Sequence, residues 1–143
     1  MSSEPVKRLG VVVACEREDG RWLMMRRSAQ VLRAPLKIGL PGGEIEPGET
    51  QQQAVIREMH EELNLRVEPT CCVWQYDLPD RPWRLYGWRA RIVGGVLRPD
   101  PAEVAEVHWL TAEEAAAHPD ALPTNALIMA VLSDPKAPPL RLG

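Results

Sequence analysis

The segment from Gly43 to Leu65, GEIEPGETQQQAVIREMHEELNL, restricts the fold more than any other part of this chain. Its approach, LPGGEIEPGE, carries glycines and prolines that forbid a regular helix. The remainder predicts a helix over Gln51–Leu63. Thr50 and Gln53 form a capping-box pattern, Asn64 suits a left-handed residue at the helix end, and Pro69 lies beyond. On a cylinder turning ~100° per residue, Val55, Ile56, Met59 and Leu63 gather on one stripe, expected to face the core. Glu58, Glu61 and Glu62 gather on an adjacent stripe, and Ala54 shares it and leaves room above it.

Like charges at i,i+4 cost a few tenths of a kcal/mol even when exposed. A solvated acidic face relieved by basic side chains is the ordinary explanation for such a run. Here only Arg57 lies in the helix, and it is expected to point away from the stripe. The alternative is a hard divalent cation. Mg²⁺ takes oxygen ligands and is commonly held by one or two carboxylates plus substrate phosphates. Bound there, it would remove the repulsion.

The 143 residues suit one domain, with a core expected from about residue 8 to 133. The ends MSSEPVK and DPKAPPLRLG are expected to fray. RLGVVVACE and WLMMRR read as strands around an Asp-Gly turn, and SAQVLRAPLKIG as a loop. TCCVWQYDL and WRLYGWRARIV read as two strands joined around PDRP, and AEVAEVHWL as another. Thr111 and Glu114 repeat the capping box, and Thr124 or Asn125 opens a last helix through ALIMAVL. Strands interleaved with helices predict an α/β class, a mixed sheet covered by helices on both faces.

Apolar residues make up 45% and charged residues 26%, which excludes a disordered chain. A net charge of -3 argues against non-specific nucleic-acid binding, which needs a positive surface. Cys15, Cys71 and Cys72 show no zinc spacing and read as small apolar residues in a reducing compartment. No stretch has the length or composition of a signal peptide or membrane span. A cytoplasmic monomer or homodimer, with no membrane partner, is expected.

The same segment resembles the signature of the Nudix hydrolases: Gly, five residues, Glu, seven residues, Arg-Glu, an apolar residue, any residue, Glu-Glu, any residue, Gly, apolar. Its places here are Gly43, Glu49, Arg57, Glu58, Met59, Glu61, Glu62, Asn64 and Leu65. Asn64 stands where the family has Gly, and Asn is the next-best residue for a left-handed cap. The resemblance implies a Nudix-type α/β/α sandwich that hydrolyses a nucleoside diphosphate linked to another moiety, using Mg²⁺ or Mn²⁺. It implies Glu58, Glu61 and Glu62 as metal ligands, with a carbonyl from Gly42 or Gly43. Glu49 and Arg57 would pair and tie the loop to the helix. Glu103 or Glu106 would supply an extra ligand or the base.

The wider chain resembles the MutT-type branch, which acts on oxidised purine nucleoside triphosphates such as 8-oxo-dGTP. MMRRS, QYDLPDRPWRLYGW and LPTNALIMAVL carry this likeness. It implies nucleotide contacts from Arg27, Asp80 and Asn125. Read from the residues alone, Arg26 and Arg27 end a strand in water, Asp80 is a turn residue and Asn125 a helix cap. Trp74, Trp83 and Trp88 offer faces for a base. Leu40 departs from the branch, which has an aromatic there, and RSAQVLR partly resembles coenzyme A diphosphatases. A nucleoside triphosphate is the expected substrate. Dinucleotides, nucleotide sugars and coenzyme A are alternatives, as is a nucleotide-binding module without hydrolysis.

Overall fold

The structure, a computed structural model, describes residues 7–134 and residue 136. The expected fraying of MSSEPVK and DPKAPPLRLG falls almost entirely outside them. Strand β1 (Arg8–Ala14) shows why a continuous apolar run was needed. Val11 and Val13 turn into one half of the core, and Val12 and Ala14 into the other. A strand covered on both faces reads as unbroken apolar sequence. β1 runs parallel to β6 (Trp83–Gly95) and antiparallel to β4 (Gly42–Glu44). β5 (Leu65–Asp77) completes a mixed sheet of order β4-β1-β6-β5. A second, antiparallel sheet of order β3-β2-β7 combines Ile38–Gly39, Trp22–Arg27 and Val104–Leu110.

Helix α1 (Gln51–Leu63) packs Val55, Met59 and Leu63 against Val11, Val13 and Ala90 on one side. On the other, α2 (Ala112–Ala117) and α3 (Thr124–Leu132) bring Ala115, Ile128 and Met129 against Ala14, Trp74 and Leu85. The layers are therefore α/β/α. Gly87 of β6 permits the close seat of α3, because a Cβ there would stand 2.7 Å from Ile128 Cδ1. Cys15 and Cys72 are buried and Cys71 half-buried, and all three are free thiols. No helix among the described residues is long and apolar enough to cross a membrane.

Three local features depart from the sequence expectation. The short strands β3 and β4 fall in stretches read as loop, since two or three residues carry no periodicity. β5 starts directly after α1, at Leu65, whereas the sequence placed its start near Thr70. Pro69 hid this. It lies at a register shift on an edge strand, where a missing N–H is tolerated. Ile56, assigned to the core stripe, is 45% exposed, while Ala54 is buried.

Both predicted capping boxes are present, at Thr50/Gln53 and Thr111/Glu114. Asn64 takes the left-handed conformation (φ 59°, ψ 32°), and its N–H reaches the carbonyls of Met59 and His60. Its side-chain Nδ2 also donates to the Val96 carbonyl at 2.9 Å, a bond that the family's glycine cannot make. Asn64→Ala loses both the conformational tolerance and this bond, and is expected to cost about 1–3 kcal/mol. Asn64→Gly keeps the conformation and is expected to cost less than half of that. Urea unfolding midpoints of the two variants measure the difference.

Candidate active site

The buried arc of α1 explains the placement of its acids. Taking Ala54 as zero at ~100° per residue, Val55, Met59 and Leu63 fall at ~100°, ~140° and ~180°. Glu58 and Glu62 fall at ~40° and ~80°, within the same arc, and Ile56 falls beyond it at ~200°. Glu62 is accordingly only 6% exposed. Glu58 has a side chain 13% exposed, and Glu61, outside the arc, 57%.

Arg57 does not point away from the acids, as the sequence suggested. Its guanidinium grips Glu49 through two bonds, Nε to Oε2 at 2.7 Å and Nη2 to Oε1 at 2.9 Å. It also donates to the Glu44 carbonyl at 2.9 Å, to Glu58 Oε1 at 2.8 Å and to Glu61 Oε2 at 3.2 Å. Helical angle alone directs the side chain away from the stripe. A long side chain reaches its i+4 neighbour, and the loop carboxylate draws it over. Glu49 foremost, and then Glu58, hold Arg57 above its ordinary value, while Arg57 holds Glu49 below the usual carboxylate range.

Glu62 has no such partner. Its Oε2 is buried and makes no hydrogen bond. Burial pushes its carboxyl well above the usual range, and the facing Glu58 and the nearby Glu103 add to the shift. Two facing carboxylates are both acceptors, so a proton or a cation is needed between them. Gly43 of β4 makes room for this arrangement, because a Cβ there would lie 2.5 Å from the Glu58 carboxyl carbon. Among the described residues no three His, Cys, Asp or Glu side chains stand ready to hold a metal as they are arranged. Arg57 holds Glu58 and Glu61 through its own bonds to them.

These acids form one end of a cleft of about 1130 Å³. Glu103, exposed just before β7, lines that end. Glu106 does not line it: it pairs with Arg26 at 2.6 Å across β2 and β7. Arg26 is no strand end in water either, since it also meets Asp120 at 2.8 Å. Arg27 and Asp80 both line the cleft, as does Leu40. Asn125 stands behind the wall, 2% exposed, and its amide donates to the carbonyls of Ile38 and Ala115, both at 3.0 Å. It is a strut between β3 and α2, and neither a helix cap nor a lining residue. Of the three tryptophans offered for a base, only Trp83 lines the cleft. Trp74 and Trp88 are core residues.

Sequence reasoning missed Arg33 and Arg81, which also line the cleft. Arg81 stands in the PDR stretch from which only the Asp was taken. Arg33 lies in an irregular loop, where no periodicity reveals direction.

The NUDIX domain family profile matches residues 6–132. The chain is 33% identical to 8-oxo-dGTP diphosphatase of Escherichia coli (strain K12) over 85 residues, 58% of this chain and 66% of that protein. It is 33% identical to CTP pyrophosphohydrolase of the same organism over 116 residues, 80% of this chain and 84% of that protein. The crystal structure of a MutT NUDIX hydrolase from Burkholderia pseudomallei superposes with a TM-score of 0.79 at 22% identity, covering 90% of this chain and all of that one (100%). The chain belongs to the NUDIX domain family, and with it to the hydrolases of phosphorus-containing acid anhydrides.

The Glu49–Arg57 pair has a definite pH signature. Glu49 is lowered in the folded chain and ordinary, about 4.3, in the unfolded one. Its stabilising contribution is therefore complete above that value and is lost as pH falls through the lower folded value. Glu49→Gln is expected to cost about 2 kcal/mol at pH 7. The gap from the parent protein should close progressively below about pH 4.5. Urea unfolding at a series of pH values checks it.

Proposed function

We propose that the chain hydrolyses the pyrophosphate linkage of a nucleoside diphosphate joined to another moiety, with a nucleoside triphosphate as the first substrate to test. An oxidised purine such as 8-oxo-dGTP is included. The observation that carries this reading is the orphaned, buried Glu62 carboxylate facing Glu58 at the acid end of a nucleotide-sized cleft. The names of the two Escherichia coli relatives, an 8-oxo-dGTP diphosphatase and a CTP pyrophosphohydrolase, support the substrate class.

The residues fit a divalent cation. The donors are all hard oxygens, one of them is buried without a partner, and Gly43 leaves the space a Cβ would fill. Glu58, Glu61 and Glu62, with the Gly43 carbonyl, would hold Mg²⁺ or Mn²⁺ once Glu58 and Glu61 turn from Arg57. Such an ion supplies positive charge against the diphosphate and eases deprotonation of the attacking water. Glu103 lines the same end of the cleft, near Glu62, and is the group we assign to accept that proton. The water oxygen bonds to one phosphorus as the bridging P–O bond breaks. Glu49 and Arg57 keep loop and helix in register, and Arg27 and Asp80 contact the nucleotide. Asn125 acts on the site only by holding β3 in place. Chemistry of this kind on a pool nucleotide suits a cytoplasmic protein.

Incubation with Mg²⁺ and a panel of nucleotides, with products resolved by chromatography, tests the reading. Hydrolysis of a nucleoside triphosphate is expected, and Glu61→Gln or Glu62→Gln should lower kcat by about 10²-fold or more. Turnover confined to a dinucleotide or nucleotide sugar replaces the substrate and leaves the chemistry. Unchanged rates in both variants remove the site assignment. Gly43→Ala should push the free end of Glu58 aside and raise the Mg²⁺ concentration for half-maximal rate about 10-fold. Its urea midpoint should stay close to that of the parent protein.

A further inference from the structure

We infer that Arg27, Arg33 and Arg81 form a subsite for an additional phosphate of the substrate, beyond the diphosphate that is cleaved. The inference rests on the reading of the acid-walled cleft as a pyrophosphohydrolase site. It names the residues that would select a longer phosphate anion over a neutral moiety.

All three arginines line the cleft. Arg27 leaves β2 beside the acids, close enough that its charge acts on Glu62. Its Nε donates to the Arg33 carbonyl at 2.7 Å, and its backbone N–H and carbonyl meet Lys37 and Leu36, so it closes the loop that presents Arg33. The Arg33 guanidinium lies 5.2 Å from the centre of the Trp83 ring, a platform that fixes its direction. Burial holds Arg33 below its ordinary value, and the charges of Arg27 and then Arg81 lower it further. The three cations thus converge, and Asp80 is the acid that opposes them.

What sets them apart is that they line the cleft without a carboxylate partner; among the described residues Arg66, Arg89 and Arg98 also form no ion pair, but none of them lines the cleft. Arg8, Arg17, Arg21, Arg26, Arg57, Arg84 and Arg91 each form an ion pair. Among the described residues no carboxylate stands within ion-pair distance of Arg27, Arg33 or Arg81, and Asp80 makes no bond to any of them. Converging guanidiniums left without acids, in a cleft, match an anion with several oxygens. A base or a sugar is neutral and would leave the repulsion in place. Arg27 lies close enough to act on Glu62, so an anion taken by the three arginines would continue from a diphosphate bound beside the acids.

The test compares the parent protein with Arg33→Gln, Arg81→Gln, the double variant and Arg33→Lys. Three substrates of one base are used with Mg²⁺: the nucleoside triphosphate, the nucleoside diphosphate, and the diphosphate carrying a 3′-phosphate. The KM for the triphosphate or for the 3′-phosphorylated compound should rise about 10-fold or more in Arg33→Gln and further in the double variant. The KM for the plain diphosphate should stay within about 2-fold. Which of the two phosphorylated compounds responds tells where the extra phosphate is carried. Arg33→Lys should recover part of the loss, since the charge remains but the fork does not.

Inorganic tripolyphosphate without metal gives a readout independent of turnover. It should raise the Tm of the parent protein and lose that effect in the double variant. Equal KM changes on all three substrates, or tripolyphosphate protection retained in the double variant, overturn the inference. If the parent protein hydrolyses none of the three while the tripolyphosphate effect behaves as expected, the proposed reaction fails and the anion subsite stands.

Discussion

One guanidinium organises the acid end of this protein. Arg57 reaches from the second turn of α1 to both oxygens of Glu49, to the Glu44 carbonyl and to Glu58 and Glu61. The loop it fastens is built from glycine, proline and acids, and Ile45 is its one large apolar side chain packed against the core. Charge-assisted, bidentate bonds are the means by which such a loop acquires a fixed geometry. Once it is fixed, β4 lies close to α1, and Gly43 can take the Glu58 carboxyl where any side chain would collide. The pair thus fixes the loop that borders the acids, whose own convergence is set by their positions on α1.

That convergence is unfavourable in the protein alone. A buried carboxylate without a partner loses hydration and gains nothing in return. Glu62 lies in the middle of the apolar arc of α1 and faces a second acid, so it suffers both desolvation and like-charge repulsion. Arg57 relieves Glu58 and Glu61 but reaches no further. A proton shared between Glu58 and Glu62 relieves the repulsion, and a bound cation would do so in its place.

Much of this was legible in the sequence, because it is local. The capping boxes, the helix bounds and the left-handed Asn64 follow from residue types at fixed offsets within α1 and α2. The Glu49–Arg57 pair followed from the family signature. Side-chain reach was not legible: helical angle placed Arg57 away from the acids, and long-range attraction brought it among them. Depth was not legible either. Asn125 was assigned to the nucleotide, yet the packing of β3 against α2 and α3 consumes its amide hydrogens inside the wall. Arg33 and Arg81 meet only because two irregular loops, far apart in sequence, border one cleft.

The net charge of -3 conceals a two-signed cleft. Glu58, Glu61, Glu62 and Glu103 line it together with the unpaired Arg27, Arg33 and Arg81, and the Arg27 charge acts on both Glu62 and Arg33. Allowed to meet, these opposite charges would neutralise one another as ion pairs, as they do over most of the surface. The backbone prevents it. Arg27 is committed to the Arg33 carbonyl, Arg33 is laid on Trp83, and the glutamates are fixed on α1. On the proposed reading, a ligand that satisfies both sets of charge would bring a cation to the acids and phosphate oxygens to the arginines. A polyphosphate accompanied by a divalent ion has that distribution of charge, and a neutral metabolite of similar size does not.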